Sequence, residues 1–218
     1  NIITVEDPVE ANIPGINQVQ VNPKADLTFA SALRAILRQD PDIIMIGEIR
    51  DYETASIAVQ ASITGHLVVS TLHTNSSAAT ITRLLDMGVE SYLLADSVVG
   101  VIAQRLVRKL CKSCRKPRPA TEAEKHLMGV PVDQDFTVYQ PCGCPLCSET
   151  GFFGRIGVYE IMEMTPELKK IITAHGSTDE IKAAALAQGM HTLRMSAAQY
   201  VLEGVTTIEE MLKVSFED

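Results

Sequence analysis

Carboxylates close two short apolar runs within the first fifty or so residues of this chain. Asn1-Ile2-Ile3-Thr4-Val5 leads into Glu6-Asp7-Pro8-Val9-Glu10, and Asp42-Ile43-Ile44-Met45-Ile46 leads into Gly47-Glu48-Ile49-Arg50-Asp51. Each run has the length and apolar character of a strand buried on both faces of a parallel sheet. Ligands of open parallel α/β sheets bind just outside the carboxyl ends of the strands. Two neighbouring strands that end in acids at that edge can hold Mg2+ and orient a water for phosphoryl transfer. A lone acid there reads more simply as a solvated strand end. The pair, followed by a third run from Thr64-Gly65-His66 to His73-Thr74-Asn75, favours chemistry.

A second constellation is made of sulfur. Cys111-Lys112-Ser113-Cys114 and Cys144-Pro145-Leu146-Cys147 are two C-x-x-C pairs. That spacing lets both thiolates of a pair reach one tetrahedral ion at about 2.3 Å, and four thiolates leave no open coordination position. The expectation is structural Zn2+ on Cys111, Cys114, Cys144 and Cys147, in a reducing compartment. Cys142 is the odd thiol. A redox role is disfavoured because no thioredoxin-like βαβ pattern surrounds either pair.

Three segments together, Glu6 to Glu10, Ile43 to Asp51 and Thr64 to Asn75, resemble the Asp box, Walker B and His box of the secretion ATPases. That superfamily powers type II secretion and type IV pilus assembly. The resemblance covers nearly the whole chain, continuing through Ala103 to Cys111, the four cysteines, and Gly151 to Glu160. Gln20 to Lys24 and Leu27 to Ala30 match the wording of the type II secretion branch best, with the pilus-assembly branch a near second. The resemblance implies an α/β fold: a RecA-like P-loop NTPase core with a tetracysteine zinc insert and a helical carboxyl-terminal region. It implies ATP and Mg2+ as cofactors and a homo-hexamer acting on an inner-membrane secretion platform and a membrane-anchoring protein. The implied location is cytoplasmic, at the periphery of the bacterial inner membrane.

By motif, Glu6 and Glu48 flank the metal and the attacking water; which of them serves as base is open. Asp7 belongs to the same box, and Gly47 stands where many Walker B motifs carry aspartate. His66 and His73 are seven residues apart, roughly 20 Å along a straight strand, so they cannot touch the same phosphate. His73, at the carboxyl end, is the candidate γ-phosphate sensor. His66 is expected at the opposite edge, meeting a neighbouring subunit or packing on the sheet. Arg50 either stabilises transferred charge or forms an ion pair with Asp51. With Asp7, His66 and Arg50 are counted among the nucleotide- and Mg2+-binding residues that the resemblance implies.

The chain has 218 residues, with 19 basic against 27 acidic side chains and a net charge of −8. That balance argues against non-specific nucleic-acid binding. No run is apolar enough to span a bilayer, so a membrane role would go through partners. No G-x-x-x-x-G-K-[ST] phosphate loop occurs in the sequence. The chain is therefore expected to hold half of a nucleotide site and, alone, to be inactive or to act as a binding and assembly module.

Strand and helix alternate through the first half, which implies a parallel sheet with helical crossovers. Helices are expected at Leu27–Leu37, Glu53–Ile63, Ser76–Met87 and Leu93–Leu110, and a third buried strand at Leu67–Leu72. Cysteines and prolines make Cys111 to Arg155 an irregular insert, followed by a short strand at Ile156–Ile161 and four helical segments to Val214. The expected domains are 1–110 (ATPase core), 111–155 (zinc lobe) and 156–218 (strand plus helical subdomain).

Overall fold

The computed structural model describes residues 1–214. Residue contacts group the chain into two compact units, residues 1–101 with 162–187 and residues 102–161 with 188 onward. This is a partition by contact, distinct from the functional segments read from the sequence.

The first unit opens with β1 (Ile2–Glu6) and β2 (Asn17–Gln20), then α1 (Phe29–Ile36), β3 (Ile43–Ile46), α2 (Tyr52–Ile63), β4 (Leu67–Ser70), α3 (Ser77–Asp86) and α4 (Ser91–Ser97). Its sheet has the order β2-β1-β3-β4, and every neighbouring pair is parallel. Val5, Ile44 and Ile46 are fully buried in this sheet, and Leu33, Ile81 and Leu94 are fully buried on its helices. Local chemistry fixes the helix starts. The Thr28 hydroxyl accepts from the Ser31 N–H to open α1, and the Asp51 carboxylate accepts from the Thr54 N–H at 2.8 Å to open α2. Gly65 ends α2 with φ of +106°, a backbone conformation that disfavours any side chain.

The next elements are β5 (Gly100–Leu110), β6 (Lys116–Pro119), α5 (Glu122–Leu127), β7 (Thr137–Gln140), β8 (Phe152–Glu163), α6 (Pro166–Thr173), α7 (Thr178–Ala187), α8 (Leu193–Leu202) and α9 (Ile208–Val214). Helices α6 and α7 belong to the first unit. In the second, β5 pairs with β8 and β6 pairs antiparallel with β7. Its core joins Val107, Val138 and Val158 of the strands to Leu193, Ala197, Val201, Ile208 and Met211 of α8 and α9.

The structure corrects three expectations. The helix expected at Leu93–Leu110 stops at Ser97, and Gly100–Leu110 is a strand. The buried residues Ala103, Val107 and Leu110 fall at i, i+4 and i+7, a spacing that imitates a helical stripe. The β-branched pair Val98-Val99 before Gly100 breaks the helix, and the exposed positions Ile102, Gln104 and Leu106 then alternate as a strand requires. Second, β4 is half-open rather than buried: it is the edge strand, and Leu67 and Val69 are each 50% exposed. Third, β8 runs for 12 residues, and the cysteine-rich insert contains the β6–β7 hairpin and α5.

Among the described residues no helix is long and apolar enough to cross a membrane.

Candidate functional site

Sheet register decides what meets at the carboxyl edge. Val5 aligns with Ile46, and Ile46 with Ser70, so β1, β3 and β4 finish nearly level. Pairing continues past the strands: the Gly47 N–H donates to the Val5 carbonyl at 2.8 Å, and the Ile49 N–H to the Thr71 carbonyl at 3.0 Å. The Thr71 hydroxyl adds a bond to the Gly47 carbonyl at 2.6 Å. Glu48 is thereby clamped between two anchored neighbours. A Cβ at position 47 would approach the Val5 carbonyl to 3.3 Å and the Glu6 Cα to 3.4 Å. Gly47, where an aspartate was absent from the motif, lets β1 and β3 close up at this point.

The Glu48 side chain is only 13% exposed and is gripped on both oxygens. Arg50 donates to Oε1, and His73 Nε2 lies 3.2 Å from Oε2. The Arg50 hydrogen bond is the main cause that holds the Glu48 carboxyl below its ordinary range, against the burial that would raise it. Arg50 thus pairs with Glu48 rather than with Asp51, whose carboxylate is committed to capping α2. His73 is 89% exposed, open to a ligand on its far side.

Glu6 ends β1 beside this group. Its Oε1 accepts from the Thr4 hydroxyl at 2.5 Å and from Gln18 Nε2 at 2.9 Å. The Thr4 bond is the largest cause that lowers the Glu6 carboxyl from its usual range. Asp7 is exposed and lies near Arg50, whose positive charge it supports. His66 is placed elsewhere: it precedes β4 at the amino edge, with Nδ1 3.0 Å from the Ala61 carbonyl. The structure therefore gathers Glu48, Arg50 and His73 into one hydrogen-bonded set, with Glu6 and Asp7 on the same edge, and leaves His66 at the other. Thr4 and Gln18 were missed in the sequence. Their signal was alternation, since Thr4-x-Glu6 and Gln18-x-Gln20 put polar groups at every second position around the apolar Val5 and Val19.

Among the described residues, only the four cysteines form a group of three or more Cys, His, Asp or Glu close enough to share a metal. The acids at the sheet edge make no such cage.

The cysteine group tests a different ion. Thiolates about 2.3 Å from a common centre at tetrahedral corners lie about 3.8 Å apart. The observed Sγ separations are 3.8 Å (Cys111 to Cys144), 3.9 Å (Cys114 to Cys147) and 3.7 Å (Cys144 to Cys147). All four sulfurs lie within 4.8 Å of one another. Backbone N–H groups of Cys144 and Gly151 point at Cys147 Sγ, each at 3.2 Å. Burial pushes the Cys147 thiol up, yet these donors together with the Cys144 and Cys114 thiols outweigh it and bring it down to about 7. Cys142 is exposed, with its Sγ near the Gln140 carbonyl and outside the cluster.

A level parallel sheet edge with acids, together with a tetracysteine insert, defines an α/β protein of the RecA-like P-loop NTPase class. The solved pilus retraction motor PilT with bound ADP shares this fold at a TM-score of 0.70 and 27% identity, over 99% of this chain and 52% of that one. The Legionella pneumophila ATPase DotB aligns at a TM-score of 0.65 and 23% identity, over 98% of this chain and 51% of that one, which speaks to fold alone. The chain belongs to the type II/IV secretion system protein family, whose family model matches residues 1–213. It is 53% identical to the type IV pilus assembly ATPase PilB of Acinetobacter baylyi, over the full chain and 38% of that protein. It is 52% identical to the type II secretion system protein E of Pseudomonas aeruginosa, over the full chain and 43% of that protein. The chain thus spans about two fifths of the length of these curated relatives.

Proposed function

We propose that this chain supplies the carboxylate half of an ATP-hydrolysing site in a motor that powers type II protein secretion. The observation that carries the reading is Glu48, held ionised between Arg50 and His73 at the carboxyl edge of the parallel sheet. An ionised, positioned carboxylate can accept a hydrogen bond from a water and align it with a phosphorus. His73, anchored by one nitrogen and otherwise open, senses the terminal phosphate. Glu6, with Asp7 beside it, carries fixed negative charge toward the hydration shell of Mg2+. When bound, that ion would neutralise charge developing on the phosphate oxygens. Arg50 sets the charge and direction of Glu48. A phosphate loop supplied from outside these 218 residues completes the cradle for the β- and γ-phosphates. His66, at the opposite edge, packs on its own chain against the Ala61 carbonyl or meets a neighbouring subunit.

The tetracysteine centre is a closed structural Zn2+ site. The working assembly is a homo-hexamer, cytoplasmic and bound peripherally to the inner membrane through a secretion platform and a membrane-anchoring protein. In this reading residues 1–110 belong to the ATPase core, 111–155 to the zinc lobe and 156–218 to a helical subdomain. Pilus assembly is the second reading, favoured by one specific observation: identity to relatives named for each process differs by only about one part in a hundred.

The test is Glu48→Gln in the protein carrying its phosphate loop. ATP turnover is expected to fall at least 100-fold, the scale of a lost general base or water-orienting group, with nucleotide affinity kept. Turnover near wild type would remove Glu48 from this role and leave Glu6 in its place.

A further inference from the structure

One face of the outer strand pair carries a row of polar side chains. Thr4 aligns with Gln18 and Glu6 with Gln20 across β1 and β2, while Ile3 and Val5 take the other face and are buried. Within that row the Gln18 carboxamide makes three hydrogen bonds. Its Nε2 donates to Glu6 Oε1 at 2.9 Å and to the Ala11 carbonyl at 3.0 Å, and its Oε1 accepts from the Ile13 N–H at 2.8 Å. Gln20 adds an acceptor for the Val9 N–H at 3.3 Å.

These bonds matter because the segment from Asp7 to Ile16 has no helix or strand of its own. Its internal backbone pairing, among the described residues, is the Ile16 N–H on the Ile13 carbonyl at 3.3 Å. The shape of the loop is therefore set by side chains, and Gln18 contributes at two of its points while also touching Glu6. Only glutamine has the reach, two donors and one acceptor that these three bonds use. Leucine matches its bulk and makes none of them. Glutamate keeps an acceptor for Ile13 but turns an oxygen toward the Glu6 carboxylate and the Ala11 carbonyl.

We infer that Gln18 is a positioning residue which sets the Glu6 carboxylate and the Asp7–Ile16 loop as one unit. The inference rests on the reading of Glu6 as a metal-supporting group in an ATP site. Groups that orient metal-supporting carboxylates commonly change metal affinity by about 10- to 100-fold when removed. Gln18 therefore links the strength of metal support to the conformation of an exposed loop that bears Asp7 and Glu10.

Two measurements on Gln18→Leu, Gln18→Glu and Glu6→Gln test this. The first is amide hydrogen exchange at Ile13 in the 218-residue chain. Exchange should rise about fivefold or more in Gln18→Leu, the effect of losing one hydrogen bond, and by less in Gln18→Glu. The second is Mn2+ binding by electron paramagnetic resonance, with a non-hydrolysable ATP analogue, on the protein carrying its phosphate loop. Half-saturating Mn2+ should rise about tenfold or more in Gln18→Leu and in Glu6→Gln. Wild-type Mn2+ affinity in Gln18→Leu, with weakened affinity in Glu6→Gln, would overturn the positioning role alone. Wild-type affinity in both would overturn the metal role of Glu6 and the inference with it. Unchanged Ile13 exchange in Gln18→Leu would show that the loop is held without Gln18. Should Gln18→Leu fail to fold, Gln18→Met, unbranched, uncharged and of similar length, decides the metal outcome.

Discussion

Glu210 offers the sharpest quantitative test of how the second unit is held together. Its side chain is 5% exposed yet ionised. Burial pushes the carboxyl up, but Arg108 and Lys213 outweigh it and bring the group from 4.5 down to about 2. Arg108 contributes its backbone N–H at 2.9 Å and its side chain at 2.8 and 3.1 Å, and Lys213 adds an ammonium contact at 2.5 Å. These bonds tie α9 to β5 three residues before the first zinc-ligand candidate. A carboxyl lowered by about 2.5 units contributes roughly 3 kcal/mol to stability, since each unit is about 1.4 kcal/mol. Because the folded value is depressed, that stability is fully present above pH 4.5 and is lost as pH falls through about 2. Glu210→Gln should therefore destabilise the second unit by about 3 kcal/mol at pH 7, with the wild-type advantage shrinking below pH 4. Urea melts followed by hydrogen exchange at α8 and α9 amides would read this unit separately. A loss under about 1 kcal/mol at pH 7, or one that does not shrink with acid, would refute the reasoning. The first outcome would mean that desolvation cancels the attraction, as it often does in buried ion pairs. The second would mean that shape, not charge, is what the substitution removes.

Further outcomes follow from the two candidate sites. Cys144→Ser should release bound zinc and raise exchange across residues 111–155, whereas Cys142→Ser should keep about one zinc per chain; equal loss by metal analysis would make Cys142 a required member of the site. Arg50→Gln should move the Glu48 carboxyl upward toward its ordinary 4.5, because the Arg50 hydrogen bond is its main depressing cause; an unmoved carbon-13 carboxyl titration would contradict that. His73→Ala should cost at least tenfold more turnover than His66→Ala in the protein carrying its phosphate loop, and a reversed order would count against His73 as the phosphate sensor.

How much of this was legible in the residues themselves differs from one element to the next. The acid-terminated strands could be read because burial leaves a dominantly apolar run, uninterrupted at Ile43–Ile46 and broken at Ile2–Val5 by the buried Thr4. The Asp51 capping signal likewise located α2, since a side chain that satisfies an orphan N–H acts within one turn and needs no tertiary partner. The strand at Gly100–Leu110 was illegible for the opposite reason. Its buried positions are chosen by contact with distant helices, Val107 meeting α8 and α9, and that choice happens to reproduce helical spacing. At the carboxyl edge the residue types were visible but the partnerships were not. Arg50 stands next to Asp51 in sequence, yet backbone alternation turns positions 48 and 50 to the same side and gives Arg50 to Glu48. The same alternation joins Thr4 to Glu6 and brings Gln18 alongside. A site on parallel strands is thus specified by parity and register together: parity can be counted along the chain, but register becomes known only when the strands are paired.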